Sequence, residues 1–293
     1  VGMLTGQFDM IERVPGSQIG RLEGRDDVVI STRLSNGYGM QRTLNSHCAP
    51  FDNKHARRAV AYAFPKKAIL NNLQYGLGHV AKDHVSTPWG PYHDPDYAGI
   101  TYDIDKAKAE LALAGTPDGF SFDVVTFHLP SHIQANEMIQ AELKKIGINM
   151  NFKANVDFIG YFGSTRQPGW DAEPNCGFNM AGLWHGGFQD LYYLFSTAAG
   201  GPRINANAQQ GNTPEMDDLL VKFRAMPLDS AEMIATAREI NVQLTEEAWN
   251  IGIYHVNNMV AWRSYVHGFV PSLMDHEYFF YDAAGNNTWM SQK

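Results

Sequence analysis

A chain of 293 residues with 44% hydrophobic and 18% charged side chains has enough apolar material for a sizeable core, arranged as one large or two ordinary domains. Its formal net charge of -8 and the lack of any Lys/Arg run exclude the concentrated basic surface that nucleic-acid phosphates demand. No run of about 18 consecutive apolar residues occurs, so no membrane-spanning helix is expected.

From the start of the chain, Leu4 to Asp9 reads as a helix and the β-branched run Val28 to Thr32 as a strand. Gly37-Tyr38-Gly39 and the segment Met40 to Asn45 have no helical period, so they read as an extended strand that crosses between lobes. Pro50 and Asp52 suit a turn, Asp52 or Asn53 can cap a helix from Lys54 to Phe64, and Pro65 opens a second helix to Leu73. A Gly/His/Pro-rich loop follows from Gly76 to Gly99. Asp103 caps a helix that runs to Ala114 and stops at Gly115. After the Thr116-Pro117-Asp118-Gly119 turn come a strand from Phe120 to Phe127, a helix capped by Ser131 that ends at Gly147, and a strand from Ile148 to Lys153. A short helix near Asp157 to Phe162 and a strand from Cys176 to Leu183 continue the alternation that marks an α/β lobe. Helices from Pro214 to Ala225 and Ser230 to Trp249 precede a strand from Ile251 to Trp262 and a Gly/Pro-rich tail. No internal repeat or low-complexity segment is present.

Four segments carry a resemblance. Pro50-Phe51-Asp52-Asn53, followed by Ala56-Arg57-Arg58-Ala59 and Tyr62-Ala63-Phe64-Pro65-Lys66-Lys67-Ala68-Ile69, resembles Pro-Phe-Asp-Asp, Val-Arg-x-Ala and Tyr-Ala-Ile-Asp-Arg-x-x-Ile of the family 5 extracellular solute-binding proteins. Those proteins deliver peptides, nickel, sugars or opines to ABC importers. Tyr102-Asp103-Ile104-Asp105-Lys106-Ala107-Lys108, continuing to Ala114-Gly115, is similar to the family's Tyr-Asp-Pro-Glu-Lys-Ala-Lys helix. Gln140-Ala141-Glu142-Leu143-Lys144-Lys145-Ile146-Gly147-Ile148 and Leu4-Thr5-Gly6-Gln7-Phe8-Asp9-Met10 match two further elements in the family's order.

The resemblance implies an α/β, periplasmic-binding-protein-like fold of type II, cluster C, with two lobes, one complete and the other partial. The implied domains are a partial first lobe at 1–45, a second lobe at 46–262 and a return to the first at 263–293. It implies the substrate-binding component of an ABC importer, a monomer that captures a small solute in an inter-lobe cleft, needs no cofactor and passes the solute to permease subunits. It also implies export to the periplasm, or tethering outside the cell in a Gram-positive organism, and a longer natural protein with a signal peptide. Not an enzyme is the expectation; a hydrolase, or a binder of nickel or another metal complex on the same scaffold, is the alternative.

Ligand contacts are implied on the segment from Asp157 to Asp190. In peptide-binding members an Arg shortly before the Ala-Gly-Trp strand pairs with a ligand carboxylate, and Arg166 in Ser164-Thr165-Arg166-Gln167-Pro168-Gly169 matches that pattern. A guanidinium offers a planar fork of donors that meets a carboxylate bidentately; an ordinary surface arginine is the alternative. Ala181-Gly182-Leu183-Trp184 resembles Ala-Gly-Trp with Leu183 in the usual Trp position, so Trp184 becomes a cleft wall or a core side chain. His185-Gly186-Gly187-Phe188 stands where peptide binders carry an Asp for the free α-amino group, and Asp190 comes several residues late. A simple oligopeptide ligand is therefore not expected. Tyr161 and Trp170, with Phe162, Phe188, Tyr192, Tyr193 and Phe195, form either a stacking surface or core.

The remaining chemistry is thin. His79, His84 and His93 share a loop with Asp83, Asp94 and Asp96, and His128 and His132 stand four apart, but neither group has metal-ligand spacing, so no metal site is expected. Cys48 and Cys176 have no zinc or redox spacing; two buried thiols and one disulfide both remain open. There is no nucleophile elbow, phosphate loop or dinucleotide fingerprint, and Glu246-Glu247 are neighbours on a helix that face different ways.

Overall fold

The computed structural model describes residues 2–12, 14–46, 49–83, 90, 92–127, 129–156, 178–183, 196, 213–270 and 288–291. Leu4 to Asp9 is not a helix. Gly6 adopts φ +78 and the Thr5 hydroxyl donates to the Gly2 carbonyl, so the segment closes on itself as turns and leads into β1 (Met10–Ile11). The first helix, α1 (Gly16–Leu22), instead follows Pro15 and buries Ile19 and Leu22.

The strand read as ending at Thr32 continues to Leu44 as β2 (Val28–Leu44), 17 residues without interruption. Asn36, Gly37 and Gly39 are poor strand formers. What extends them is a partner of comparable length, β7 (Asn250–Arg263), which pairs antiparallel with β2 on both sides of the glycines. The main sheet runs β1-β7-β2-β6, where β6 is Phe178–Leu183, and β3 (Gly78–Val80) adds to β7 from within the segment read as a loop. β6 pairs antiparallel with β2, from Leu44 opposite Phe178 to Gly39 opposite Leu183, and so leaves the strand-helix series that precedes it.

The helices follow their caps. Asn53 accepts from the His55 N–H at 2.9 Å to open α2 (Lys54–Tyr62), and Asp103 accepts from Lys106 at 3.0 Å to open α4 (Ile104–Leu113). Between them, α3 (Lys66–Gln74) starts after Pro65 and ends at Tyr75 in the left-handed region, φ 54. β4 (Ser121–Phe127), α5 (Pro130–Lys144) and β5 (Asn149–Val156) make one parallel βαβ unit. Ser131 does not cap α5. The helix begins at Pro130, which supplies the fixed φ that a first helical position wants, and no side chain caps it. α6 (Pro214–Arg224) and α7 (Ala231–Glu247) open on Thr213 and Ser230, which accept from Met216 and Met233. The tail carries β8 (Val266–His267) paired with β9 (Trp289–Met290), neither of them expected. The expected helix near Asp157 to Phe162 lies outside the described residues.

The apolar interior is divided along the two long strands. Met40 and Leu44 of β2 and Ile251, Ile253, Tyr254 and Val256 of β7 belong to a large core with α2, α3, α4, α5, β4 and β5. Val28 of β2 and Met259 and Ala261 of β7 belong to a second core with Met3, Val14 and α1. Val260 and Trp262 join Val266 and Phe269 in a third cluster, and α6 and α7 pack on each other with Trp249. The change of core falls where the β2–β7 register breaks: residues 35–38 intervene on β2 between Leu34 and Gly39, and only Val256 on β7 between Asn257 and His255.

Candidate functional site

This crossing is where the described residues gather unpaired polarity. Gly39 of β2 is opposite both Leu183 of β6 and His255 of β7, and His255 is opposite His79 of β3. The end of β6 therefore reaches the crossing, and the chain leaves it toward Trp184 and His185. Trp184, His185 and Asp190, together with Arg166, Tyr161 and Trp170, lie outside the described residues, as do Cys48, Cys176, His84 and His128.

His255 is 1% exposed, and neither ring nitrogen has a hydrogen-bond partner among the described residues. Burying an imidazole this way costs about 1–3 kcal/mol in lost hydration, so the arrangement calls for a reason. Burial pulls its basicity down, and His79, Lys66 and His93 push in the same direction, to about 4. Backbone is packed close around it. A Cβ on Gly39 would lie 2.5 Å from the Tyr254 carbonyl oxygen and 3.3 Å from His255 Nδ1, and one on Gly78 would lie 2.4 Å from the His255 carbonyl oxygen. Only glycine fits at either position.

Lys66 sits beside this cluster, buried, its Nζ donating to the carbonyls of Ile100 at 2.8 Å and Ala81 at 3.1 Å. Burial lowers its ammonium to about 8, against the opposing pull of Asp83. Asp83 lies 3.6 Å from His93 Nδ1. Lys66, Asp83, Asn250 and Gly252 line a cavity of about 10 Å³, the size of a single water and far too small for a solute. Among the described residues no group of three His, Cys, Asp or Glu side chains is placed to hold a metal ion. No helix among them is long and apolar enough to cross a membrane.

The carboxylates nearest to an acid/base arrangement are already engaged. Glu247 meets Lys54 at 2.7 Å and Arg57 at 2.9 Å, while Glu246 meets Arg58 and accepts from the Tyr97 hydroxyl at 2.8 Å. Glu110 of α4 holds Arg58 and His55, each at 2.7 Å. These groups pin α2 to α4 and α7.

Sequence reading placed Met40 to Leu44 and Ile251 to Trp262 in strands and missed His255 and Lys66. The available signal was weak: His255, Asn257 and Asn258 interrupt an otherwise apolar strand, and Lys66 follows Pro65 in what looks like an exposed helix start.

Comparison with known proteins agrees with this architecture. Residues 1–205 match the family described as bacterial extracellular solute-binding proteins, family 5 Middle. Heme-binding protein A of Haemophilus influenzae is 30% identical over 236 residues, covering 78% of this chain and 39% of that protein. The oligopeptide-binding protein AppA of Bacillus subtilis, solved with a nonapeptide, superposes with a TM-score of 0.80 at 20% identity, covering 99% of this chain and 57% of that one. The binding protein AgaA of A.tumefacien R10, solved with agropinic acid, gives 0.77 at 22% identity over 100% and 58%. The chain thus spans roughly 39% to 58% of the length of these relatives, and the fold is that of the type II periplasmic binding proteins. With its two long crossing strands, divided cores and a family match over residues 1–205, the chain belongs to the family 5 bacterial extracellular solute-binding proteins.

Proposed function

We propose that the whole protein is the substrate-binding component of an ABC importer, a monomer outside the cytoplasm that captures a small solute and hands it to permease subunits. The observation that carries this reading is the pair of strands β2 and β7, each of which serves two separate apolar cores across a shared register break. Two packed bodies joined by extended strands can close on a ligand by small backbone rotations at the join, and a ligand that prefers the closed state drives closure without turnover. One lobe would then hold residues 1–34 with Met259 and Ala261, and the other Met40 and Leu44 with the body from residue 46 to Val256, so the boundaries expected at 45 and 262 move to the register break.

The solute we infer carries a carboxylate or several hydroxyls, with Arg166 as a carboxylate partner and Trp184, Tyr161 and Trp170 as apolar walls near His185 and Asp190. A relative of the same fold solved with agropinic acid supports a small acidic ligand, while the one solved with a nonapeptide favours the peptide alternative. A thermal-shift panel of di- and tripeptides, sugars and opine-like acids on the full-length protein tests it, since a bound ligand raises the unfolding temperature by mass action. Stabilisation by at least one class with the compound recovered intact by mass spectrometry is expected. Product formation would replace transport with hydrolysis, and nanomolar binding of ordinary peptides through their α-amino group would overturn the inference drawn from His185 and Asp190.

A further inference from the structure

His255 is buried at the register break with both ring nitrogens unpartnered among the described residues, and the residues paired with it are set by register: Gly39 on β2 and His79 on β3. Paired residues on neighbouring strands share a sheet face. On the β2 side that neighbour is a glycine whose backbone closes on the imidazole, a Cβ there lying 3.3 Å from Nδ1; on the β3 side it is an exposed histidine, the side from which a ligand would come. The cluster around the ring is mainly cationic or potentially so, with Lys66 from α3, His79 from β3 and His93 from the following segment, and Asp83 as its acidic member. A neutral imidazole N–H in such a field is a donor suited to an anionic oxygen, and the incoming negative charge offsets that part of the ring's lowered basicity which comes from its cationic neighbours rather than from burial.

We propose that His255, with His79 beside it, anchors a carboxylate of the solute at the strand crossing. This rests on the solute-capture reading above. The anchor is a hydrogen bond from the ring N–H to a carboxylate oxygen, and no covalent bond forms or breaks. His79 meets the solute from the solvent side and His255 holds it from the buried side. Because the bound anion favours the imidazolium, binding takes up protons as the pH falls toward 5.5, while the carboxylate itself stays ionised.

Calorimetric titration of the full-length protein with matched probes tests this: a dipeptide and its C-terminal amide, gluconate and glucose, and an opine-type N-carboxyalkyl amino acid and its amide. In at least one pair the acid binds tenfold or more tightly than its neutral partner, and the pair that shows the preference identifies the source of the carboxylate. His255→Phe reduces that preference to under threefold, His255→Gln, which keeps an N–H donor, retains part of it, and His79→Ala weakens the acid about threefold. Titrations at pH 5.5 in two buffers of different ionisation enthalpy report net proton uptake in the unmodified protein and none in His255→Phe. Equal binding of acid and amide, or a full acid preference in His255→Phe, overturns the anchor and leaves solute capture standing. If no probe binds, solute capture falls and the anchor with it. Should His255→Phe fail to fold, His79→Ala decides, because that residue is exposed: an unchanged acid preference there overturns the proposal.

Discussion

Arg57 and His255 are buried to nearly the same degree, 3% and 1% exposed, and the fold treats them in opposite ways. Arg57 donates to the Phe51 and Glu247 carbonyls and to the Glu247 carboxylate, at 2.7 to 2.9 Å, so a charge taken from water is answered three times. His255 is answered by nothing among the described residues. A satisfied polar network holds one arrangement of α2, α4 and α7, whereas an unsatisfied one at a register break stores a demand that a ligand can meet. The difference separates a group that keeps the structure from a group that awaits a partner.

The sharpest way to break the comparison is at the satisfied end. Arg57→Leu removes the donor from one Glu247 carboxylate oxygen and from two carbonyls, while Lys54 stays on the other oxygen. A loss of about 3–5 kcal/mol in denaturant unfolding is expected. A loss below about 1 kcal/mol would mean that the pairing at α2 and α7 contributes no more than an exposed contact.

Acid acts at the other end. The His255 ring is held near 4 in the folded state by burial and by its cationic neighbours, while an unfolded chain restores an ordinary value of about 6.5. The unfolded state therefore binds more protons in that interval, so the contribution is fully present above pH 6.5 and is lost as the pH falls toward 4, by about 3 kcal/mol in all. His132, lowered to about 3 by burial and by Arg42, adds a loss of the same sign that continues to lower pH. Unfolding free energies at pH 7, 5.5 and 4 should fall accordingly. His255→Phe should flatten part of that fall and leave stability at pH 7 unchanged or slightly raised, since it removes an unpaired polar group rather than a contact. A marked loss at pH 7 would show that His255 is held by structure and not kept for a partner.

The smallest effect belongs to the rim of the same clamp. Lys54 meets Glu247 at 2.7 Å, but its side chain is 42% exposed, so Lys54→Ala should cost under about 1 kcal/mol and less still in high salt. A cost equal to that of Arg57→Leu would erase the distinction between buried and exposed members of the network.

Local chemistry made much of this chain legible from its sequence. Asn53 and Asp103 cap the helices expected of them, and Thr213 and Ser230 cap the two later ones, because a cap needs only a side-chain oxygen and an amide two or three residues on. Gly115 ends α4 with φ +78 for an equally local reason, and the four family-like segments named the fold before any pairing was known. Some departures are local, as at Gly6 and Pro130, and the larger ones lie where the deciding partner is distant in sequence. Leu4 to Asp9 gave way to turns at Gly6, and β2 bridged its glycines because β7, more than two hundred residues later, supplied the hydrogen bonds. β6 lies antiparallel beside β2, the place that the family resemblance implies for the strand opening at Cys176, whereas periodicity by itself carries no such address. The same limit applies to the candidate site. That His255 lies in a strand was readable from the apolar run around it; that it is buried, unpartnered and opposite His79 was decided only when β3, β7 and β2 came together, since burial and register are properties of the assembled sheet.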